Sequence, residues 1–434
     1  MPNAISTARQ RRRALQIRTF FVGRDAPGSP VFEFRGSILL DWGIAMAKKQ
    51  KKPYRLLQAG AALAAVAGVF VAAWGILGPV RFSGWKDAWR LTGRQGDGFP
   101  LPYSYASLQQ AALVGSSLAL LGPTALQVRT RGSYEAMEAP LLFHSPALRA
   151  QGGRMLLFDR DSNHLLLLSK TETLHKLELE HDIYCVDLNR TGAFAVATKA
   201  ENFASEIQAY GAKKNLRFRW RCEKEYPAAL RLSAGGRALA ICLVGTEQAQ
   251  VYARFVEFAF EREDPRIDLR LDGAWLYGAA EIDGGWLAVG DQAVYLILRG
   301  AAQPTAFSYE GRALAGFASD EKHCAVLLQD WDNHALLRVY DREGALCAEQ
   351  RFRDLPAGVQ CAKGAVYLRF ADCLLRWRQT RVQPAEFRQS AALPAGTQDA
   401  FVTGGQAYVL TLRTVDLIKL KWSEVEDGLL GVRS

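Results

Sequence analysis

The sequence is poor in the residues and spacings from which catalytic and metal centres are assembled. Its six histidines, His144, His164, His175, His181, His323 and His334, never show the i, i+4 helical spacing of a zinc protease, and none stands in a recognisable acid–base pairing. Seven cysteines are spread singly, with no C-x-x-C pair and no haem or zinc spacing. Most lie inside apolar strand-like runs such as "ALAICLVG" and "FADCLLRW", so they read as buried free thiols; Cys361 with Cys373 is the one pair left open to bridging. "DRDSNH", Asp159 to His164, begins like a calcium loop, but His164 stands at the glycine position and Lys170 at the acidic twelfth, which leaves a hairpin turn. "VGSSLAL" is half a nucleophile elbow in which Ala119 replaces the closing glycine. No residue is therefore assigned a catalytic, cofactor or metal role, and no cofactor is expected.

Charge is absent from one long stretch. From Leu56 to Val80 there is no ionisable side chain and only one strongly polar residue, Gln58, enough to cross a hydrocarbon core of roughly 30 Å as a helix. Ala65-Val66-Ala67 and Val71-Ala72-Ala73 resemble signal-peptide cleavage sites, but the run exceeds the usual signal length of about 7 to 15 apolar residues, which favours an uncleaved signal-anchor. Lys48, Lys49, Lys51, Lys52 and Arg55 precede it more densely than Arg81, Lys86, Arg90 and Arg94 follow it. The expectation is a single-pass membrane protein with a cytoplasmic N-terminus and an extracellular bulk, bound to the lipid bilayer through this helix. The four basic residues that follow keep the opposite orientation open. Net charge of +10 gathers at the N-terminal flank and suits anionic lipid, while no basic patch interleaved with aromatics suggests nucleic acid.

Residues 1–45 show no sustained period, repeat or caps and read either as an unstructured tail or as translation begun upstream of a true start at Met46. The remaining divisions are a basic flank over 46–55, the span over 56–80, a juxtamembrane stalk over 81–107, a repeat region over 108–422 and a C-terminal tail over 423–434.

The repeat carries the fold. A small turn precedes a short apolar strand at "VGSSLALL", "GGRMLLF", "TGAFAVAT", "AGGRALAICL", "DGGWLAVG", "DEKHCAVLL", "AKGAVYLRF" and "TGGQAYVLT". Anchored on Gly115, Gly153, Gly192, Gly236, Gly285, Glu321, Gly364 and Gly405, the spacings are 38, 39, 44, 49, 36, 43 and 41 residues. A second alternating strand follows each anchor strand, as in "HLLLLSKT" and "LLRVYDRE", and then a weaker third. Four short antiparallel strands per 40 to 45 residues define a propeller blade. The fold class is all-β: a β-propeller of eight blades, or seven if the first or last repeat is shared in closing the ring.

Over "TGAFAVATKAENFASEIQAYGAKKNLRFRW" and "YPAALRLSAGGRALAICLVG" the chain resembles an uncharacterised family of single-pass membrane proteins of Gram-positive bacteria with a propeller ectodomain, and is broadly similar to quinoprotein-type and WD40-like propellers. The resemblance implies fold and topology and carries over no functional residue. Trp-Asp is absent from the strand ends, with "DWDNH" in a turn, and the tryptophan docking motifs and adjacent cysteine pair of quinone enzymes are missing.

The expected function is a non-catalytic binding or scaffold module at the cell envelope that offers a propeller face to a protein, peptide or glycan. The alternative is a propeller hydrolase or quinone-dependent oxidoreductase with site residues from separate blades. Carboxylates and histidines gathered at the central channel favour the enzyme; an apolar or aromatic rim favours the binder. Candidate contact residues are Tyr134, His164, Trp331, Asp332 and His334, with His164 and His334 at equivalent repeat positions.

Overall fold

A computed structural model of the chain describes residues 79–160, 162–379, 386–389 and 392–424. The chain divides into two units, Met1–Val69 and Phe70–Ser434, and every described residue belongs to the second.

Eight antiparallel sheets follow one another along the second unit, seven of four strands and one of five. Each is a blade, with strands a to d running outward. The inner a strands are Gln110–Val114, Pro146–Gln151, Ile183–Leu188, Tyr226–Leu232, Leu276–Ile282, Ala313–Ser319, Gly358–Ala362 and Thr397–Thr403. Every repeat anchor, from Gly115 to Gly405, lies in or at the edge of the turn from strand a to strand b. The 49-residue spacing between Gly236 and Gly285 is taken up by two ten-residue strands, Ala238–Glu247 and Gln250–Ala259. Gly285 itself has no alternative, because a Cβ there would collide with the carbonyl oxygen of Ile297 on the neighbouring strand.

Strand b is apolar on both sides because both sides are covered. Ser117–Leu121 and Gly285–Gly290 are buried at every position, each blade being sandwiched between its neighbours. Outer strands such as Ile267–Asp272 alternate toward solvent. The apolar residues accordingly form a core between each pair of consecutive blades. Leu156 and Phe194 share the one between blades 2 and 3, Ile241 and Ile207 that between 3 and 4, and Leu118 and Tyr408 that between 8 and 1.

Polar side chains on the inner strands join the blades. Gln110 donates Nε2 to the Leu148 carbonyl at 2.8 Å and accepts the Leu148 N–H at 2.9 Å; Gln360 does the same to Val402 at 3.4 and 3.0 Å. The ring closes with Leu101–Pro102, which pairs with Thr414 and Val415 as the outermost strand of blade 8. Tyr408 adds an O–H to the Ser116 carbonyl at 2.9 Å.

Two segments join the ring that the sequence reading placed beside it. Within 81–107, read as a stalk, the chain holds the greater part of helix α1 (Pro79–Leu91) and the closing strand. Proline suits the first helical position, and Gly93 at φ +71 ends the helix. Within 423–434, read as a tail, Ser423–Glu424 adds a fifth strand to blade 7. Among the described residues no helix is long and apolar enough to cross a membrane; the expected span over 56–80 lies outside them except for its last two residues.

Helix α1 is bolted to the turn between strands c and d of blade 2. Asp87, 3 % exposed, accepts hydrogen bonds from Ser169 Oγ at 2.9 Å and Thr171 Oγ1 at 2.6 Å. Lys86 and Arg90 pair with Glu172 at 2.7 and 2.9 Å.

Candidate functional site

The meander gives the ring two faces of different kind. The a–b and c–d turns share one, called here the a–b face; the b–c turns and the loops between blades share the other, the b–c face. Among the described residues, every exposed aromatic side chain of the ring sits at the b–c face: Tyr226, Trp275, Tyr277 and Trp331, at 52, 39, 49 and 99 % exposure. They occupy blades 4 to 6 and the loop leading into blade 5.

The inner strands explain how the aromatics are presented. In blades 3, 4, 5, 6 and 8 the pairing of strand a with strand b slips by one residue near the b–c end, at Tyr184, Ala228, Tyr277, Ala315 and Gln398. Such bulges re-aim a side chain at a rim. Tyr184 is turned against Tyr226, ring centroids 6.1 Å apart at 88°, and burial raises its phenol above the ordinary value. Tyr277 reaches the mouth of the central channel, a cavity of about 450 Å³ lined by the inner strands of blades 2 to 7.

Carboxylates surround these rings: Asp182, Glu247, Asp272, Asp291 and Asp332 all lie at the b–c end of blades 3 to 6. Asp182 pairs with Lys199, and Arg270 lies between Glu247 and Asp272 with its guanidinium 3.9 Å from the Tyr252 ring centroid. Acid nevertheless exceeds base over this arc.

The channel wall has a different character. Asp187, 1 % exposed, is its buried carboxylate: Oδ1 accepts Arg149 Nε and Nη2 at 3.1 and 2.9 Å, and Oδ2 accepts the Leu232 N–H at 2.8 Å. No histidine lines the cavity. At the a–b mouth Arg190 of blade 3 reaches Glu321 of blade 6 at 2.5 Å, and Arg342 pairs with Asp283 at 2.7 Å. Among the described residues no three histidine, cysteine, aspartate or glutamate side chains gather as a metal-binding group.

The five candidate contact residues do not form one surface. Trp331, Asp332 and His334 share the b–c turn of blade 6, where His334 Nδ1 lies 2.7 Å from Asp332 Oδ2 and Asn333 takes a left-handed φ of +66. His164 holds the equivalent turn of blade 2, four blades round the ring, and stacks on Phe143. Tyr134 is on the a–b face, under the guanidinium of Arg94. Asp159, which opens the calcium-like stretch, accepts the N–H groups of His144 and Ser145 at 3.0 and 2.8 Å and so holds the turn. Tyr184 and Tyr277 escaped the sequence reading because a bulge leaves no periodic trace, and Tyr226 and Trp275 because they stand at the first residue of an inner strand and in the loop before one.

None of the seven described cysteines is in a disulfide. Cys361 does not bridge to Cys373, since strand b lies between their strands; Cys361 faces the Ala318 carbonyl of blade 6 at 3.3 Å.

Residues 137–371, from the outer strand of blade 1 to the b–c turn of blade 7, match the model of a family of unknown function, DUF5711. The match spans just over half of the chain. The chain belongs to this DUF5711 family. No curated protein matches it. Among solved structures it is similar to the C-terminal WD40 domain of Sif2, with a TM-score of 0.50, 11 % identity, and coverage of 75 % of this chain and 100 % of that one. It is also similar to BamB from Moraxella catarrhalis, with a TM-score of 0.42, 11 % identity, and coverage of 74 % and 100 %. Likenesses at this identity show the propeller fold alone, so this DUF5711 member's function must be argued from its own surface.

Proposed function

We propose that this chain is a non-catalytic binding module that holds a basic segment of a partner protein against the b–c face of blades 3 to 6. The observation that carries the reading is the gathering, among the described residues, of every exposed ring aromatic on that face, amid an excess of carboxylates. Aromatic anchors supply most of the energy of a typical interface, and surrounding charge sets partner choice and encounter rate. A lysine- or arginine-rich segment can stack its cations on Trp275, Tyr277 and Trp331 and pair with Asp272, Asp291 and Asp332. The channel points the same way. Its buried carboxylate is held by an arginine and a backbone N–H, which suits a structural strut better than a general acid or base.

The uncharged run from Leu56 to Val80 supports a membrane tether, and we place the module at the cell envelope with the propeller outside. Protease shaving of intact cells tests the placement. Released peptides from beyond Arg81 support it; a ring protected until lysis reverses the orientation.

The binding reading is tested with a photo-crosslinking amino acid at Trp331 in cells. The crosslinked partner is identified and its affinity measured for wild type and for Trp275→Ala with Asp272→Lys. A loss of tenfold or more, deepening with salt, is expected. Unchanged affinity would overturn the assignment of this face.

A further inference from the structure

We propose that the central channel is a binding site for a small organic oxyanion, a molecule whose carboxylate or phosphate group is held by Arg231 together with Arg149 and Ser319. The inference stands apart from the partner-binding face, because it rests on inner-strand residues behind the b–c mouth.

The first argument is a charge that the fold leaves over. Among the described residues, the charged side chains lining the cavity of about 450 Å³ are Arg149 and Arg231, and both turn to one carboxylate, Asp187. Arg149 occupies its Oδ1 with Nε and Nη2, and the Leu232 N–H occupies Oδ2. Arg231 is left 3.8 Å from Oδ1, beyond hydrogen-bond reach. Two guanidinium cations thus face one carboxylate whose oxygens are already taken.

The second argument is how little else Arg231 holds. It belongs to the inner strand of blade 4, yet its Nη2 donates to Ser319 Oγ on blade 6 at a long 3.5 Å, the one hydrogen bond it makes among the described residues. Its side chain is only 20 % exposed. A guanidinium carries five N–H donors in a planar fork, and enclosing it with most of them unspent is costly unless an anion meets it. The Ser319 hydroxyl accepts from Arg231 and keeps its own proton to donate to the same anion.

Neighbouring acids do not fill that place. Arg231 also lines the adjoining cavity at the a–b mouth, where Glu321 is engaged by Arg190, Asp283 by Arg342, Glu281 by the Ala234 N–H and Asp320 by three backbone N–H groups.

The third argument is size. The channel cavity is larger than a bare oxyanion fills and falls within the range of small-molecule sites. Ala229, Ala279, Phe317 and Val359 in its lining suit an apolar body behind the charged group. A guanidinium fork with a hydroxyl beside it matches the oxygens of a carboxylate or phosphate.

The test is calorimetry of the full chain with benzoate, phenyl phosphate and the neutral benzamide. Saturable binding of one anion per chain is expected, with benzamide weaker by about tenfold or more; the tighter of the two anions names the head group. Arg231→Gln is expected to weaken that anion by about tenfold or more, and Arg231→Lys, which keeps the charge without the fork, by less. Wild type is also treated with phenylglyoxal and mapped by mass spectrometry, a readout that needs no variant to fold. Bound anion is expected to slow modification of Arg231 several-fold and to leave the exposed Arg237 unchanged. No binding of either anion, equal binding of benzamide, or an Arg231 modified at the same rate with and without anion overturns the site.

Discussion

Asp187, on the inner strand of blade 3, accepts the backbone N–H of Leu232, on the inner strand of blade 4, at 2.8 Å, and holds Arg149 of blade 2 with its other oxygen. One carboxylate thus ties three consecutive blades at the channel wall. Asp187→Leu leaves the Leu232 N–H buried without a partner and is expected to lower unfolding free energy by about 2–3 kcal/mol. Asp187→Asn, which keeps an acceptor oxygen, is expected to recover part of that loss. Urea midpoints at constant slope check both.

The glutamine staples should behave alike despite sitting at opposite ends of the repeat. Gln110→Leu strips both backbone groups of Leu148, and Gln360→Leu those of Val402; each is expected to lose about 1–3 kcal/mol. The double variant should show the two losses adding within roughly 0.5 kcal/mol, because the sites share no partner. Strong coupling would show that the ring transmits strain around its circumference.

These inner strands are also where the sequence is least legible. Strand b announced itself because burial on both sides makes it continuously apolar, and strand c because it alternates. Strand a is small, half-exposed to the channel and broken by bulges, as in "YGAAEI" and "ALAGFAS", so neither period survives in it. The eight anchors were visible as turns, and the blade number followed from them. The closing strand was not visible, since two residues, Leu101 and Pro102, carry no pattern at all. The candidate face was legible only at Trp331, Asp332 and His334, where a long turn places polar residues together. Tyr184 and Tyr277 depend on which way a bulge swings them, and that is a property of paired strands.

Burial pushes the thiols of Cys185, Cys242 and Cys324 up to about 12. Thiolate is the reactive form, so these cysteines are expected to resist iodoacetamide at pH 8 in the native protein and to react once urea unfolds it. The same shift has a stability consequence. Unfolded thiols ionise from about pH 8.5 and folded ones only near 12, so the folded state binds more protons in that window and stability falls as pH rises through it. Mass spectrometry of alkylated peptides and urea melts from pH 7 to 11 check the two halves.

Asp87→Ala is expected to free α1 from blade 2 without opening the ring, because the closing strand is held separately through Leu101 and Pro102. Amide exchange in 84–91 should accelerate by at least tenfold while exchange in Ser117–Leu121 stays unchanged. Acceleration in both would show that helix docking and ring closure are one cooperative unit.

Trp331→Ala is expected to change stability by less than about 0.5 kcal/mol, since the side chain is 99 % exposed, and to weaken partner binding all the same. A stability loss larger than that would assign Trp331 to folding rather than recognition.

Blade 8 assembles from the two ends of the chain, and this sets a timetable for synthesis. Leu101 emerges from the ribosome roughly 310 residues before its partner Val415, a wait of roughly 15 to 60 seconds at ordinary translation rates. Until Tyr408 and Leu410 arrive, Leu118 and Leu120 of blade 1 have no cover, and the nascent protein is an open arc with a sticky flank. A stop codon before Tyr408 would leave that arc permanent, so the last strands act as a completeness check that a truncated product fails.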